Sequence, residues 1–259
     1  TPIYYVNSHP HIGHAYTTIV TDVFVRYRKL FGEETYFLTG TDEHGQKIAE
    51  SAQAANLKPQ EFVDRMTAEF RDMWPHLHIQ QDQFIRTTDA PHKSGVRALI
   101  KRIHESSPDS FYQKSYEGWY CVGCELFKRD DEIEDGECVL HPTRELQWTK
   151  ERNWFFRLSA YQDALLAHYA AVPEFVRPKS RMNEARSMVE MGLDDLSMSR
   201  AQVEWGVTVP WDPAHTVYVW VDALFNYYTA LTYAAPGVDL IDRLWPPTVQ
   251  LMEIGRAHV

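Results

Sequence analysis

Cysteine is scarce and confined. Three occur in 259 residues, all between positions 121 and 138, an odd set that suits a metal site in a reducing compartment better than a disulfide framework. Long apolar runs are missing too. Stretches such as Val217-Tyr218-Val219-Trp220-Val221 are far too short to span a bilayer, so no membrane segment is expected. Positive charge is in deficit: 36 acidic residues face 26 basic ones, a formal net charge of −10. That balance excludes a surface built for nonspecific nucleic-acid binding, though not a local basic track. No internal repeat, low-complexity tract or signal peptide is evident, but the chain opens on Thr1 and not Met, so a removed leader stays open. The remainder, 44% hydrophobic and 24% charged, is ordinary globular composition, with length for one large domain or two.

Hydrophobic periodicity predicts an α/β fold. Residues 2–6, PIYYV, read as a short buried strand broken by NSHP. Ala15, Ile19, Val23, Tyr27 and Leu30 then form the apolar stripe of an amphipathic helix that Gly32 ends. TYFLTG (35–40) reads as a second strand, closed by the turn TDEHG. Strand, helix and strand make a βαβ unit, with parallel strands and a right-handed crossover. Phe62, Met66, Phe70 and Trp74 mark a core-facing helix over 59–74, 82–87 a short strand, and Val96, Leu99, Ile100 and Ile103 a helix over 91–105. From about 107 to 150 turns, cysteine and acidic residues prevail, and RDDEIEDGE (129–137) reads as a solvated loop. Helical spacing resumes over 154–170 and 181–192, and TVYVWVDAL (216–224) reads as a strand.

Two clusters carry chemistry. His11 and His14 flank Gly13 at the mouth of the first helix, where free N–H groups and the helix dipole favour an anion and the absent Cβ lets it approach. A surface or metal-binding pair of histidines is an equal reading of these residues alone. The second cluster is sharper. Cys121-x2-Cys124 and Cys138-x2-His141, thirteen residues further on, supply four N/S ligands in two chelating turns. With every position filled by protein, the site is expected to hold a structural, not catalytic, zinc.

Seven segments in order, TPIYYVN, HIGHAYTT, FLTGTDEHG, YEGWYCVGCE, DLSMSR, WGVTVPWD and YVWVDALFNY, resemble the methionyl-tRNA synthetase family of class I aminoacyl-tRNA synthetases, from residue 1 to about 252. The resemblance implies a Rossmann-type parallel sheet interrupted by a connective insertion with a zinc knuckle. It implies a first half of the catalytic domain over 1–108, the insertion over 109–212 with the knuckle near 116–146, and the start of the second half over 213–252. It also implies roles. His11, Gly13 and His14 would bind ATP phosphates, Asp42 and the Ile3 backbone the methionine amino group, and Tyr5, Trp220, Ala223 and Tyr227 its side chain. His44 lies in a family motif without an assignable role. ATP with Mg²⁺, L-methionine and tRNA(Met) are the implied partners, in the cytoplasm or a mitochondrial matrix.

A KMSKS-type loop and a helical anticodon-binding domain are not found in these residues, so the chain is expected to be an inactive or nearly inactive fragment. The last seven residues, EIGRAHV (253–259), can be encoded by codons that read into a common sequencing adapter and are expected to be a non-native tail. The alternatives are another class I synthetase, for leucine, isoleucine, valine or cysteine, and a catalytically dead zinc-binding interaction fragment.

Overall fold

The computed structural model describes residues 1–143, 145–232 and 238–252; the expected non-native tail, 253–259, lies outside the described residues. Strand β1 (Tyr4–Tyr5) leads into helix α1 (Ile12–Leu30), which returns the chain to β2 (Leu38–Asp42). Helices α2 (Gln46–Ala54) and α3 (Pro59–His76) precede β3 (Gln83–Arg86), and α4 (Ala90–Ser106) follows it. The strands are parallel in the order β1-β2-β3, with Tyr5 opposite Asp42. The parallel βαβ unit expected from the spacing is present, within the Rossmann-type sheet that the resemblance implied. Tyr4, Val6, Val25, Phe37, Ile48, Val63, Met66, Phe70, Trp74 and Ile79 form the core beneath it.

Helix α1 sits the other way round from its predicted stripe. Val23 is 60% and Leu30 83% exposed, and Ile19 and Tyr27 are exposed as well. The buried face carries Gly13, Thr17, Thr18, Thr21, Asp22 and Val25. Hydroxyl groups on this face donate to carbonyls one turn back, Thr18 to His14 at 2.8 Å and Thr21 to Thr17 at 2.8 Å. Short side chains that satisfy their own polar atoms can face the interior at low cost, and a hydrophobicity count does not register them.

The turn-rich region contains a long hairpin. β4 (Phe111–Cys121) and β8 (Gln147–Phe156) are antiparallel, in register from Phe111 opposite Phe156 to Tyr120 opposite Gln147. The predicted helix over 154–170 is therefore shorter: Trp154, Phe155 and Phe156 complete β8, and α5 (Gln162–Ala171) starts later. The cause is cross-strand packing of aromatic residues, which outweighs their helical spacing. At the hairpin tip lie β5 (Leu126–Phe127), β6 (Ile133–Glu134) and β7 (Glu137–Cys138). The stretch read as a solvated loop thus contains a small β6–β7 hairpin turned at Asp135-Gly136, both with positive φ.

Helix α6 (Lys179–Glu190) matches its predicted span closely and leads to β9 (Leu196–Ser197), which pairs with β8. A separate antiparallel sheet has the order β10 (Ser199–Arg200), β12 (Asp212–Val217), β11 (Thr208–Val209). It packs with α4 around Val96, Ile100, Phe111, Met198, Val207, Val209 and Val217. The predicted strand 216–224 is half helix: β12 stops at Val217, Tyr218 caps in an extended conformation, and α7 runs Val219–Leu224. Burial of Asp222 against two histidines fixes this helical turn, so tertiary contact overrides β propensity. α8 (Asn226–Thr232) and α9 (Ile241–Leu244) follow.

Candidate active site and metal centre

The first helix opens on a reciprocal histidine cap. His11, at the N-cap, accepts from the Gly13 N–H through Nδ1 at 3.1 Å, and His14 Nδ1 accepts from the His11 N–H at 3.1 Å. The rings stack with centroids 3.8 Å apart. Since both Nδ1 atoms accept, each neutral ring carries its proton on Nε2. Burial, helped by neighbouring His11, lowers the His14 pKa to about 4, so this imidazole is uncharged at neutral pH. The cap leaves two Nε2–H donors at a helix N-terminus, an arrangement suited to phosphate oxygens.

Asp42 ends β2, its side chain 8% exposed, with Oδ1 buried and unpartnered. Burial, then the nearby Asp222 and Glu125 carboxylates, push its pKa well above the usual carboxylate range. Tyr5, opposite it in register, donates its phenol to Glu125 Oε1 at 2.8 Å and lies 3.1 Å from the His44 carbonyl. The turn after Asp42 is held from below. Glu43, fully buried, accepts from Thr41 and Thr67 at 2.6 Å and takes Arg86 Nε and Nη2 at 2.7 and 2.9 Å. From above, Trp205 Nε1 donates to the Glu43 carbonyl at 2.6 Å.

The remaining members of the predicted methionine pocket are placed less uniformly. Ile3 immediately precedes β1. Trp220 and Ala223 lie on α7, on either side of Asp222, and Trp220 is 57% exposed. Tyr227, on α8, lines a cavity of about 260 Å³ with Thr21, Phe24, Leu38 and Leu231, which neither Tyr5 nor Asp42 borders.

Sequence reasoning missed four groups here. Glu125 is the carboxylate on Tyr5, Asp222 and His92 join His44 in a buried cluster, and Arg200 is buried with Nε unpartnered. An acid inside the apolar run VWVDAL was the available signal for Asp222. His92 carried none.

The cysteine cluster assembles as predicted. One candidate ligand atom from each of Cys121, Cys124, Cys138 and His141 lies within 4.8 Å of the others. Cys124 Sγ is 3.7 Å from Cys138 Sγ, and His141 Nδ1 is 3.2 Å from Cys124 Sγ and 3.8 Å from Cys121 Sγ. A zinc tetrahedron with S and N ligands has edges of roughly 3.5–3.8 Å, so the donor set lies close to what that ion takes. Burial and the neighbouring thiols push Cys124 up to about 12, so a cation is needed to displace its proton. Gly123 is required sterically: a Cβ there would sit 2.6 Å from His141 Cγ.

The comparisons agree with this geometry. Residues 1–144 and 131–254 match the family described as tRNA synthetases class I (M). Methionine--tRNA ligases of Thermotoga maritima and Thermosynechococcus vestitus are 47% and 46% identical over the whole chain, which covers 41% and 50% of their lengths. The Mycobacterium tuberculosis methionyl-tRNA synthetase bound by methionyl-adenylate superposes with a TM-score of 0.88 at 44% identity, over 95% of this chain and 49% of that one. Its apo form gives 0.76 at 41% identity. The chain thus spans about half the length of the relatives it matches. The fold is that of a class I aminoacyl-tRNA synthetase catalytic domain. Within that class the chain belongs to the methionine branch, the tRNA synthetases class I (M).

Proposed function

We propose that the reading frame containing this chain activates L-methionine with ATP and transfers it to tRNA(Met). The observation that carries the reading is the buried, unpartnered Oδ1 of Asp42. An isolated buried carboxylate oxygen is costly, and an α-ammonium group supplies the cation and the hydrogen bond it lacks. Tyr5, Trp220, Ala223 and Tyr227 are assigned to the methionine side chain, where sulfur–aromatic contacts would favour a thioether, and Ile3 contributes its backbone.

In the first step a methionine carboxylate oxygen bonds to the α-phosphorus of ATP. The bond from that phosphorus to the bridging oxygen breaks, and the electron pair leaves with pyrophosphate. His11 and His14 donate Nε2–H to the phosphates beside the Gly13 backbone, stabilising charge without a covalent enzyme intermediate. A terminal ribose hydroxyl of tRNA then takes the methionyl group and AMP leaves. Mg²⁺ would accompany the ATP phosphates, and Cys121, Cys124, Cys138 and His141 would hold one structural zinc. The reaction belongs where translation occurs, in the cytoplasm or an organelle matrix; among the described residues no helix is long and apolar enough to cross a membrane.

The domain division follows the same reading: 1–108 and 213–252 as parts of the catalytic domain, and 109–212 as the insertion. Because the 259 residues include no KMSKS-type lysine loop, the chain by itself is proposed to be inactive or nearly so. The test is amino-acid-dependent ATP–pyrophosphate exchange with the complete reading frame. Exchange driven by methionine is expected; exchange driven by leucine, isoleucine, valine or cysteine instead would overturn the reading.

A further inference from the structure

One buried carboxylate ties together parts of the chain that the chemistry above treats separately. Asp222 Oδ2 lies 2.6 Å from His44 Nδ1 and Oδ1 lies 2.9 Å from His92 Nε2, across 178 and 130 residues of sequence. All three side chains are within 3% of full burial. His92 Nδ1 in turn meets Thr229 Oγ1 at 2.7 Å. An ionised carboxylate only accepts, so His92 donates to Asp222 from Nε2. His44 faces Asp222 through Nδ1, so its ring donates from there. The carboxylate therefore receives an N–H on each oxygen.

The four residues come from four elements: the turn after β2, α4, α7 and α8. His44 is two residues beyond Asp42, and its carbonyl lies 3.1 Å from the Tyr5 phenol oxygen. Its ring meets Trp205 edge-on at 5.5 Å, so the turn cannot swing away without breaking that contact. Asp222 stands between Val221 and Ala223 on the one and a half turns of α7 that present Trp220. A helix of six residues has little stability of its own, so its placement depends on such tertiary ties.

We propose that the His44–Asp222–His92 cluster is a positioning device that fixes the wall formed by Trp220 and Ala223 relative to Asp42. This inference rests on the methionine reading and assigns His44 a function in it. Its role is indirect, because the three side chains are buried beneath the surface that substrate would touch. ATP is held at the other end of the site by the histidine cap of α1, which none of these hydrogen bonds reaches. Loosening the cluster should therefore weaken methionine and leave ATP unaffected.

The experiment uses the complete reading frame and pyrophosphate exchange, with KM for methionine and for ATP measured separately. In His44→Leu, KM for methionine is expected to rise about tenfold or more, with KM for ATP within twofold of the parent. His44→Asn keeps a donor near the Nδ1 position and is expected to return KM for methionine to within threefold. Should His44→Leu fold poorly, Thr229→Val removes only the hydroxyl that orients His92, and a selective rise of twofold to fivefold is expected. An unchanged KM for methionine in both variants would overturn the inference. So would parallel losses for both substrates, or His44→Asn behaving as His44→Leu, which describe a purely structural cluster. A parent enzyme without methionine-dependent exchange would instead remove the functional reading, and the inference with it.

Discussion

The phenol of Tyr5 donates to the carboxylate of Glu125 at 2.8 Å, although 120 residues separate them. Glu125 directly follows Cys124, and its Oε1 also accepts the Lys47 N–H at 3.2 Å. The knuckle at the tip of the β4–β8 hairpin therefore reaches the edge of the parallel sheet and touches a residue assigned to the amino-acid pocket. A lobe with three buried cysteines and little else as a core would be ordered by a metal on its Cys/His set, and this bond would then link metal to pocket.

That link gives the first prediction. The chain should carry one zinc per molecule by elemental analysis. Cys124→Ser should remove it, and Gly123→Ala should weaken it because the added Cβ collides with the His141 ring. In the complete enzyme, chelation should raise KM for methionine as the Glu125 contact to Tyr5 loosens. Full zinc retention in Cys124→Ser would contradict the assigned ligand set.

Asp42→Asn separates stability from binding. Replacing a buried carboxyl whose Oδ1 lacks a partner by a neutral isostere should stabilise the unliganded protein by about 1–2 kcal/mol, read as a raised Tm. The same change should weaken methionine by roughly 10²-fold, because a charge-assisted hydrogen bond to the ammonium is lost. A lowered Tm with methionine affinity intact would refute the assignment.

Methionine binding should also depend on pH through Asp42. Its carboxyl is pushed above the ordinary range, so as pH falls through that raised pKa the group becomes neutral and loses the ammonium. KM for methionine should therefore rise on acidification sooner than an ordinary aspartate would allow. In Asp42→Asn this part of the pH dependence should vanish, which a KM profile of both proteins checks.

His14 makes a prediction of opposite sign for folding. Its folded pKa, about 4, lies below the ordinary 6.5, so the unfolded chain binds the proton first. Its stabilising contribution is complete above pH 6.5 and is lost as pH falls toward 4. Chemical denaturation of the parent and of His14→Gln between pH 8 and pH 4 should show the parent losing more stability. In the complete enzyme His14→Ala should lower kcat by roughly 10²–10³, as for other lost transition-state donors, with little change in KM for methionine.

Legibility in the sequence followed the range of the interactions. The β1–α1–β2 unit and the Cys121/Cys124/Cys138/His141 set depend on residues close in sequence, and both were readable from spacing. The orientation of α1 was not, because its inward face is built from threonines that satisfy their own hydroxyls. The β4–β8 hairpin was hidden by Lys114, Ser115, Glu117 and Gly118, which interrupt the alternation that marks a half-buried strand. Tyr218 divides one apolar run into strand and helix, and only the partners of Asp222 explain where. Contacts such as Tyr5 to Glu125 join residues whose separation no local pattern encodes.

The most direct test of the central claim, that Asp42 seats the α-ammonium of methionine, is a comparison of two ligands by titration calorimetry on the complete enzyme. L-Methionine should bind, and 4-(methylthio)butanoate, which keeps the thioether and carboxylate but lacks the amine, should bind at least roughly 10²-fold more weakly. In Asp42→Asn that difference should nearly disappear. Equal affinity for the two ligands in the parent, or an undiminished preference in Asp42→Asn, would contradict the account.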